Sequence, residues 1–355
     1  MLTTCPPFTD RDIKETRMTH HLIAASAAAL ALSTAPAQTQ TLAQVLERGT
    51  LICGANIGQA GFGAPDSEGV WHGFDVGFCR ALAAAVLGDP MAVDFLPLTS
   101  EDRFDALTSG AVDLLARNTT WTFQRDVDLN LTFVGISYFD GQGFLVNRDM
   151  GVSSALDLDG ATICVASGTT TELNLSDYFR VQGMSYTPVP AQTAAEALES
   201  YLAGDCDVYS ADISALASSR ASFAEPDDHI ILPETVSKEP LGPVVREADT
   251  HWASIVRWTL FALIAAEELG ITAETIAEQS AGSSMPEIRR LLGVEGEFGA
   301  MLGLDPDWAA RAITAVGNYG ELFATTIGDQ TQIGLARGLN AQWTRGGLIY
   351  APPFR

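Results

Sequence analysis

Positive charge is scarce in this chain of 355 residues: Lys+Arg number 20 against 44 Asp+Glu, for a formal net charge of -24. A surface of that sign repels phosphate backbones and anionic lipid, which excludes a nucleic-acid partner, and a solvated acidic surface accounts for the rest of the imbalance. Histidine is equally thin. His72, His229 and His251 are scattered, and no Ser-His-Asp arrangement or H-E-x-x-H stands in the sequence. Of the 5 cysteines none forms a C-x-x-C or a close cysteine/histidine pair, which argues against a zinc site. No stretch reaches the roughly 18 uninterrupted apolar residues of a membrane span. The nearest, Trp252 to Leu269, is broken by Arg257, Glu267 and Glu268.

What is present is a chain long enough for two compact units, since one domain takes about 100 to 200 residues. Its 47% hydrophobic and 18% charged residues can build a core and exclude wholesale disorder. At the N-terminus, Leu22 to Leu32 is an apolar run of about 11 residues, the size of a signal-peptide core. Ala35-Pro36-Ala37 follows as the small-x-small cleavage site, so residues 1–37 read as a leader and the exported chain starts near Gln38. Met1 and Met18 are both suitable starts. Cys5 leaves with the leader, and the four remaining cysteines, Cys53, Cys79, Cys164 and Cys206, form an even set suited to an oxidising compartment.

Two series of strand-helix-strand units follow. The first has strands near Gly49–Gly54, Ala92–Phe95 and Val112–Ala116, with helices over Asp75–Leu87 and Arg103–Thr108. The second has strands at Gly160–Val165, Ser185–Val189 and Asp207–Ser210, with helices over Glu172–Val181 and Ala194–Leu202. Leu107-x-x-Gly110-x-x-Asp113 in the first series is echoed by Tyr201-x-x-Gly204-x-x-Asp207 in the second. The pattern predicts two α/β lobes with largely parallel sheets. Cys79 falls on the apolar face of its helix and points to the sheet that holds Cys53, while Cys164 and Cys206 both belong to the second series. The expected pairs are therefore Cys53–Cys79 and Cys164–Cys206. Breakers at Pro240-Leu241-Gly242-Pro243 mark a crossing back to the first lobe, followed by a long helix from Trp252 and shorter helices.

Candidate chemistry lies where strands end, the position at which open α/β sheets bind ligands. Arg117-Asn118-Thr119-Thr120-Trp121 leads to Arg125, whose planar fork suits a carboxylate, with a surface pair to Asp126 or Asp128 as its competing role. Ser167-Gly168-Thr169-Thr170 enters a helix and offers hydroxyls and free N–H groups to an anion, or a plain N-cap. Asp212 suits either a helix N-cap or a buried counter-ion for an ammonium. Trp121 is a candidate pocket wall, with core packing as the alternative.

Asn118-Thr119-Thr120-Trp121-Thr122-x-x-Arg125, with Gly73-Phe74-Asp75-Val76 before it and Ser167-Gly168-Thr169-Thr170-Thr171-Glu172 and Asp212 after it, resembles the periplasmic solute-binding proteins of family 3, the polar amino-acid receptors of ABC importers. The likeness runs from about Thr41 to Arg355. Val316-Gly317-Asn318-Tyr319-Gly320-Glu321 and Ala336-Arg337-Gly338-Leu339-Asn340-Ala341 resemble the branch of general L-amino acid and glutamate/glutamine/aspartate/asparagine receptors.

The resemblance implies a type II periplasmic binding protein fold: two α/β lobes, two hinge crossovers near Tyr138–Gly143 and Leu241–Val245, and an additional C-terminal helical region. Lobe 1 would take residues 38–139 and 245–355, and lobe 2 residues 140–244. It places Arg125, Thr120 and Thr170 on a ligand carboxylate and Asp212 and Asn118 on its ammonium, with Asn56 and Gln59 at the side-chain end; Arg117 and Trp121, read from their place beside the anchor loop, are candidates for the same end, with a solvated strand-end role as the alternative for Arg117. Basic-amino-acid receptors carry an acidic residue where this chain has Asn56, an aromatic where it has Gln59, and a stacking ring near Ser100, so the implied ligands are polar or acidic amino acids such as glutamate, glutamine, aspartate and asparagine, with broad tolerance for other L-amino acids as the wider alternative. The expected protein is a periplasmic, monomeric receptor with no cofactor, docking on membrane permease subunits. An exported enzyme on the same scaffold, such as a cyclohexadienyl-type dehydratase, is the alternative.

Overall fold

The computed structural model describes residues 40–355. The expected leader and cleavage site, Cys5 and both candidate start positions lie outside the described residues.

Two five-stranded sheets organise the chain. The first runs Val93–Leu98, Leu51–Asn56, Leu114–Leu115, Val244–Arg246, Leu131–Phe133, and the second Thr187–Ala191, Thr162–Ala166, Val208–Asp212, Gln142–Asn147, His229–Ile231. The first three strands of each are parallel neighbours. Val244–Arg246 and Gln142–Asn147 are antiparallel to both neighbours, so each sheet has four strands in one direction and one reversed. Strands covered by helices on both faces read as near-continuous apolar runs, and Leu51, Cys53 and Ala55 in the first sheet, like Ile163, Cys164 and Val165 in the second, are fully buried.

The reversed strand of each sheet is the one that follows a crossing. Tyr138–Asp140 and Glu239–Leu241 form an antiparallel ribbon with Tyr138 opposite Leu241, Phe139 opposite Pro240 and Asp140 opposite Glu239. The chain leaves this ribbon into Gln142–Asn147 on one side and into Val244–Arg246 on the other. The second crossing is thus displaced toward the N-terminus relative to the expected Leu241–Val245. Pro243 has no N–H with which to continue a ladder, and Gly242 sits so close to the neighbouring backbone that a Cβ would stand 2.0 Å from the Gly135 carbonyl oxygen. Val244 and Val245 therefore belong to the first sheet.

Helix Phe74–Leu87 covers the first sheet and packs most extensively on Trp308–Val316, while the 19-residue Thr250–Glu268 lies beside both. The C-terminal helices, including Tyr319–Thr326, join this layer. The tail also reaches the hinge: Phe139 N donates to Asn340 Oδ1 at 2.7 Å, Asn340 Nδ2 donates to the Phe139 carbonyl at 3.0 Å, and the Tyr319 hydroxyl donates to the Ser137 carbonyl at 2.8 Å. One edge of the ribbon is therefore braced by the C-terminal region.

Both expected disulfides are present, with Cα–Cα separations of 6.4 Å for Cys53–Cys79 and 5.8 Å for Cys164–Cys206. Cys206 lies in the turn before Val208–Asp212 rather than in the strand. The strand expected at Val112–Ala116 is paired only over Leu114–Leu115, and helix Thr170–Gln182 begins two residues before Glu172, because Thr169 accepts from the Glu172 N–H and caps it from outside.

Candidate functional site

A cavity opens between the two sheets at the carboxyl ends of their parallel strands. From the first lobe it is lined by Asn56, Gln59, Ser100, Arg103, Arg117, Asn118, Thr120 and Arg125; from the second by Thr169 to Thr171, Tyr209 to Asp212, Ala194 and Ala215. The lobes meet around it, with the Ser218 hydroxyl donating to the Ala60 carbonyl at 2.7 Å.

The loop after Leu114–Leu115 is held in place by the hinge itself. Trp121 N donates to the Pro240 carbonyl at 2.8 Å and Gly242 N to the Thr119 carbonyl at 3.1 Å, so Thr120 is tied to the crossing strand. Asn118 adopts the left-handed region at φ 46°, which asparagine tolerates better than most side chains. Its N–H donates to Asp75 Oδ2 at 2.9 Å. Thr122 caps helix Phe123–Val127 by accepting from the Arg125 N–H. The Arg125 guanidinium turns inward instead of pairing with Asp126 or Asp128: Nη1 donates to the Thr120 carbonyl at 2.9 Å, and the group lies 5.3 Å from the Phe104 ring centre.

Two further guanidinium groups share this wall. Arg117 is braced, with Nε donating to the Leu98 carbonyl at 2.9 Å and Nη2 to Ser100 Oγ at 3.1 Å. Burial lowers its pKa to about 10, with Asp102 opposing the shift. Arg103 is 3% exposed, stacks its guanidinium 4.6 Å from the Phe104 ring centre and leaves Nε without a partner. Burial, then repulsion from Arg117 and Arg125, pushes its pKa well below the usual arginine range. Beside it, Gln59 Nε2 and Asn118 Nδ2 are buried donors with no acceptor, while Asn56 Nδ2 donates to Asn118 Oδ1 at 3.2 Å. This end of the cavity therefore holds surplus donors.

The hinge side carries the opposite character. Asp212 ends strand Val208–Asp212 and stands at the N-cap position of helix Ile213–Ala221, yet its side chain makes no capping bond. The N-cap role is thereby removed, and the carboxylate is left to the cavity. Burial, then the neighbouring Asp140 and Glu239, raises its pKa well above the carboxylate range, against the pull of Arg125 and Arg103. Asp140 is likewise raised to about 6, chiefly by burial. Across from them, Thr170 and Thr171 open helix Thr170–Gln182 with N–H groups that have no intrahelical acceptor.

Trp121 does not line the cavity. Its ring stacks on Phe133 at 5.4 Å between centroids and 6° between planes, which is a packing role and corrects the expected pocket wall. The cavity lining includes Ser100, near which the family's stacking ring is expected to align, and adds Arg103 and Tyr209 to the residues expected from sequence. Arg103 follows Thr99-Ser100-Glu101-Asp102 directly after strand Val93–Leu98, so the strand-end rule applied to the two other loops would have found it.

A profile of the bacterial extracellular solute-binding proteins, family 3, matches residues 51–275. The chain belongs to that family. The receptor is 59% identical over 93% of its length to 98% of the glutamate/glutamine/aspartate/asparagine-binding protein BztA of Rhodobacter capsulatus. It is 51% identical over 94% of its length to 98% of the general L-amino acid-binding periplasmic protein AapJ of Rhizobium johnstonii. A Brucella ovis ABC transporter periplasmic binding protein, solved with glutathione bound, superposes with a TM-score of 0.87 at 52% identity, covering 89% of this solute-binding protein and 99% of the other chain. These matches extend beyond residue 275, so the C-terminal helical region is shared with the relatives. Among the described residues no helix is long and apolar enough to cross a membrane.

Proposed function

We propose that this solute-binding protein captures L-amino acids with acidic or amide side chains, such as glutamate, glutamine, aspartate and asparagine, and delivers them from the periplasm to the permease of an ABC importer. The observation that carries the reading is the polarity of one cavity. Arg125 and the first turn of helix Thr170–Gln182 offer donors to an α-carboxylate, and Asp212, with the Asn118 carbonyl, faces an α-ammonium. Arg103, Gln59 and Asn118 leave donors over for a second carboxylate or an amide. A lysine or arginine side chain would meet those donors and no counter-charge, which disfavours it.

The two lobes, expected at residues 38–139 with 245–355 and at residues 140–244, with Val244 going to the first lobe by its sheet pairing, close about the ribbon Tyr138–Asp140 and Glu239–Leu241. Closure is a population shift, because only the closed state touches the ligand from both sides. The relatives named above are binding proteins, which supports a receptor without turnover over an enzyme. A monomer released from a leader at residues 1–37 completes the reading.

The test is calorimetry on the purified protein with the twenty common amino acids and glutathione, the last because it is bound in the Brucella ovis protein and carries an α-amino acid head on a γ-amide. One-to-one binding of glutamate, glutamine, aspartate or asparagine, with the ligand recovered unchanged, supports the proposal. Preference for lysine or arginine, or conversion of the ligand, overturns it.

A further inference from the structure

Glu239 sits in the crossing ribbon, 1% exposed, and its carboxylate is fully engaged. Oε2 accepts from the Thr120 hydroxyl at 2.6 Å and from the Thr170 hydroxyl at 3.0 Å; Oε1 accepts from Asn174 Nδ2 at 2.7 Å and from the Ser237 hydroxyl at 2.7 Å. A carboxylate offers about four lone-pair directions, so these four donors saturate it. A threonine hydroxyl owns a single proton. Thr120 and Thr170, whose oxygens are 3.4 Å apart, both lie within donating distance of Glu239 Oε2, and a proton given there is not available to the other hydroxyl or to the cavity they line.

We propose that Glu239 is a positioning residue: it fixes the direction of the Thr120 and Thr170 hydroxyl protons, so that both oxygens face the ligand as acceptors only and select for a ligand that brings N–H donors to that wall. This rests on the amino-acid receptor reading and refines it. A carboxylate oxygen placed against these hydroxyls would meet only lone pairs, whereas an ammonium would be accepted by them together with Asp212. The α-carboxylate is left to the Arg125 guanidinium and the backbone N–H groups of Thr170 and Thr171, so Thr170 serves the ligand's two α-substituents through different atoms. The arrangement is complete only in the closed protein, because Thr120 comes from the loop of one lobe and Thr170 and Asn174 from a helix of the other. Discrimination is thereby coupled to closure.

The experiment compares L-glutamate with 2-oxoglutarate, which has the same carbon chain and an acceptor-only oxygen in place of the ammonium. Binding to wild-type protein and to Glu239→Gln is measured by calorimetry, with 2-oxoglutarate read by competition. The glutamine amide supplies N–H groups of its own, so a threonine hydroxyl can turn its proton into the cavity. The ratio of the 2-oxoglutarate Kd to the glutamate Kd should then fall at least tenfold. A residue that only steadies the hinge would raise both Kd values by one factor, and an unchanged ratio overturns the proposal. Should Glu239→Gln fail to fold by circular dichroism, Thr120→Val decides: loss confined to glutamate supports the proposal, and equal loss for both ligands overturns it. Wild-type protein that binds no amino acid refutes the receptor reading and this role together, whereas glutamate binding with an unmoved ratio refutes only the role of Glu239.

Discussion

Asp140 lies directly opposite Glu239 in the ribbon that joins the lobes, so two carboxylates occupy one face of the hinge, with Asp212 two residues along the adjoining ladder. Like charges directly opposite in a sheet are destabilising. An ammonium arriving at this face relieves that repulsion.

Ligand affinity should therefore rise with pH. Asp140 is held at about 6 and Asp212 is raised further above its ordinary value, in both cases first by burial. The surrounding Glu239, Tyr138 and Tyr209 add no positive charge, and Arg125 and Arg103 only partly offset the effect. A bound ammonium favours the ionised carboxylates, so binding releases protons and the association constant grows as pH climbs through about 6. Calorimetry in buffers of different protonation heat would measure the release. Asp140→Asn should reduce it, and identical heats in all buffers would contradict the coupling.

A second pH effect concerns stability rather than binding. Asp75 is raised to about 6 by burial, with the Asn118 N–H and Arg117 opposing the shift. Between about pH 4 and 6 the native state keeps a proton that the unfolded chain has released, so this group's contribution falls as pH rises through that window and stays low above it. Each tenfold change in proton affinity is worth about 1.4 kcal/mol, so the loss across the window is about 3 kcal/mol. Asp75→Asn retains an acceptor for the Asn118 N–H and should flatten this part of the denaturation free-energy profile between pH 4 and 7.

The two strand-helix series are legible in the sequence because apolar runs and capping residues are local. Helix Arg103–Thr108 has the expected ends, and both disulfides follow from which series each cysteine occupies. The second crossing lies several residues from its expected place because its limits are set by the contact of Gly242 with Gly135, which are far apart in sequence. Thr120, Thr170, Arg125 and Asp212 converge as strand-end residues should. Glu239 carries no such signal: it follows Lys238 in an unremarkable polar stretch, and only the meeting of two lobes gives it partners. Trp121 turns away from the pocket because the nearby Phe133 ring offers a stacking surface that no spacing rule foresees.

The Cys164–Cys206 bond closes a loop with a sequence separation of 42 within the second lobe. In the chain-entropy account a loop of that size contributes about 4 kcal/mol. The double variant Cys164→Ser/Cys206→Ser should lower the unfolding free energy by that order in urea titrations, with near-native far-ultraviolet circular dichroism at low denaturant. Equal stability of the oxidised and substituted proteins would show that the covalent link does not constrain the unfolded chain.

The arginines of the cavity should separate by ligand. Arg125→Ala removes the donor fork expected to hold atoms common to every α-amino acid, so all ligands should weaken by about 3 kcal/mol, roughly a hundredfold. Arg125→Lys should recover little of this, since a point charge cannot reproduce the fork. Arg103→Met keeps much of the packing on Phe104 but removes the unpaired Nε donor and the charge. Glutamate and aspartate should then lose roughly tenfold or more relative to alanine, as expected when a charged partner is removed from a buried acceptor. Arg117→Ala should act more on stability, because its Nε and Nη2 are engaged by Leu98 and Ser100. Competition titrations of the three variants with glutamate and alanine would read the pattern directly. Parallel losses for both ligands in Arg103→Met would return the side-chain contact to Arg117, the other guanidinium at that end of the cavity.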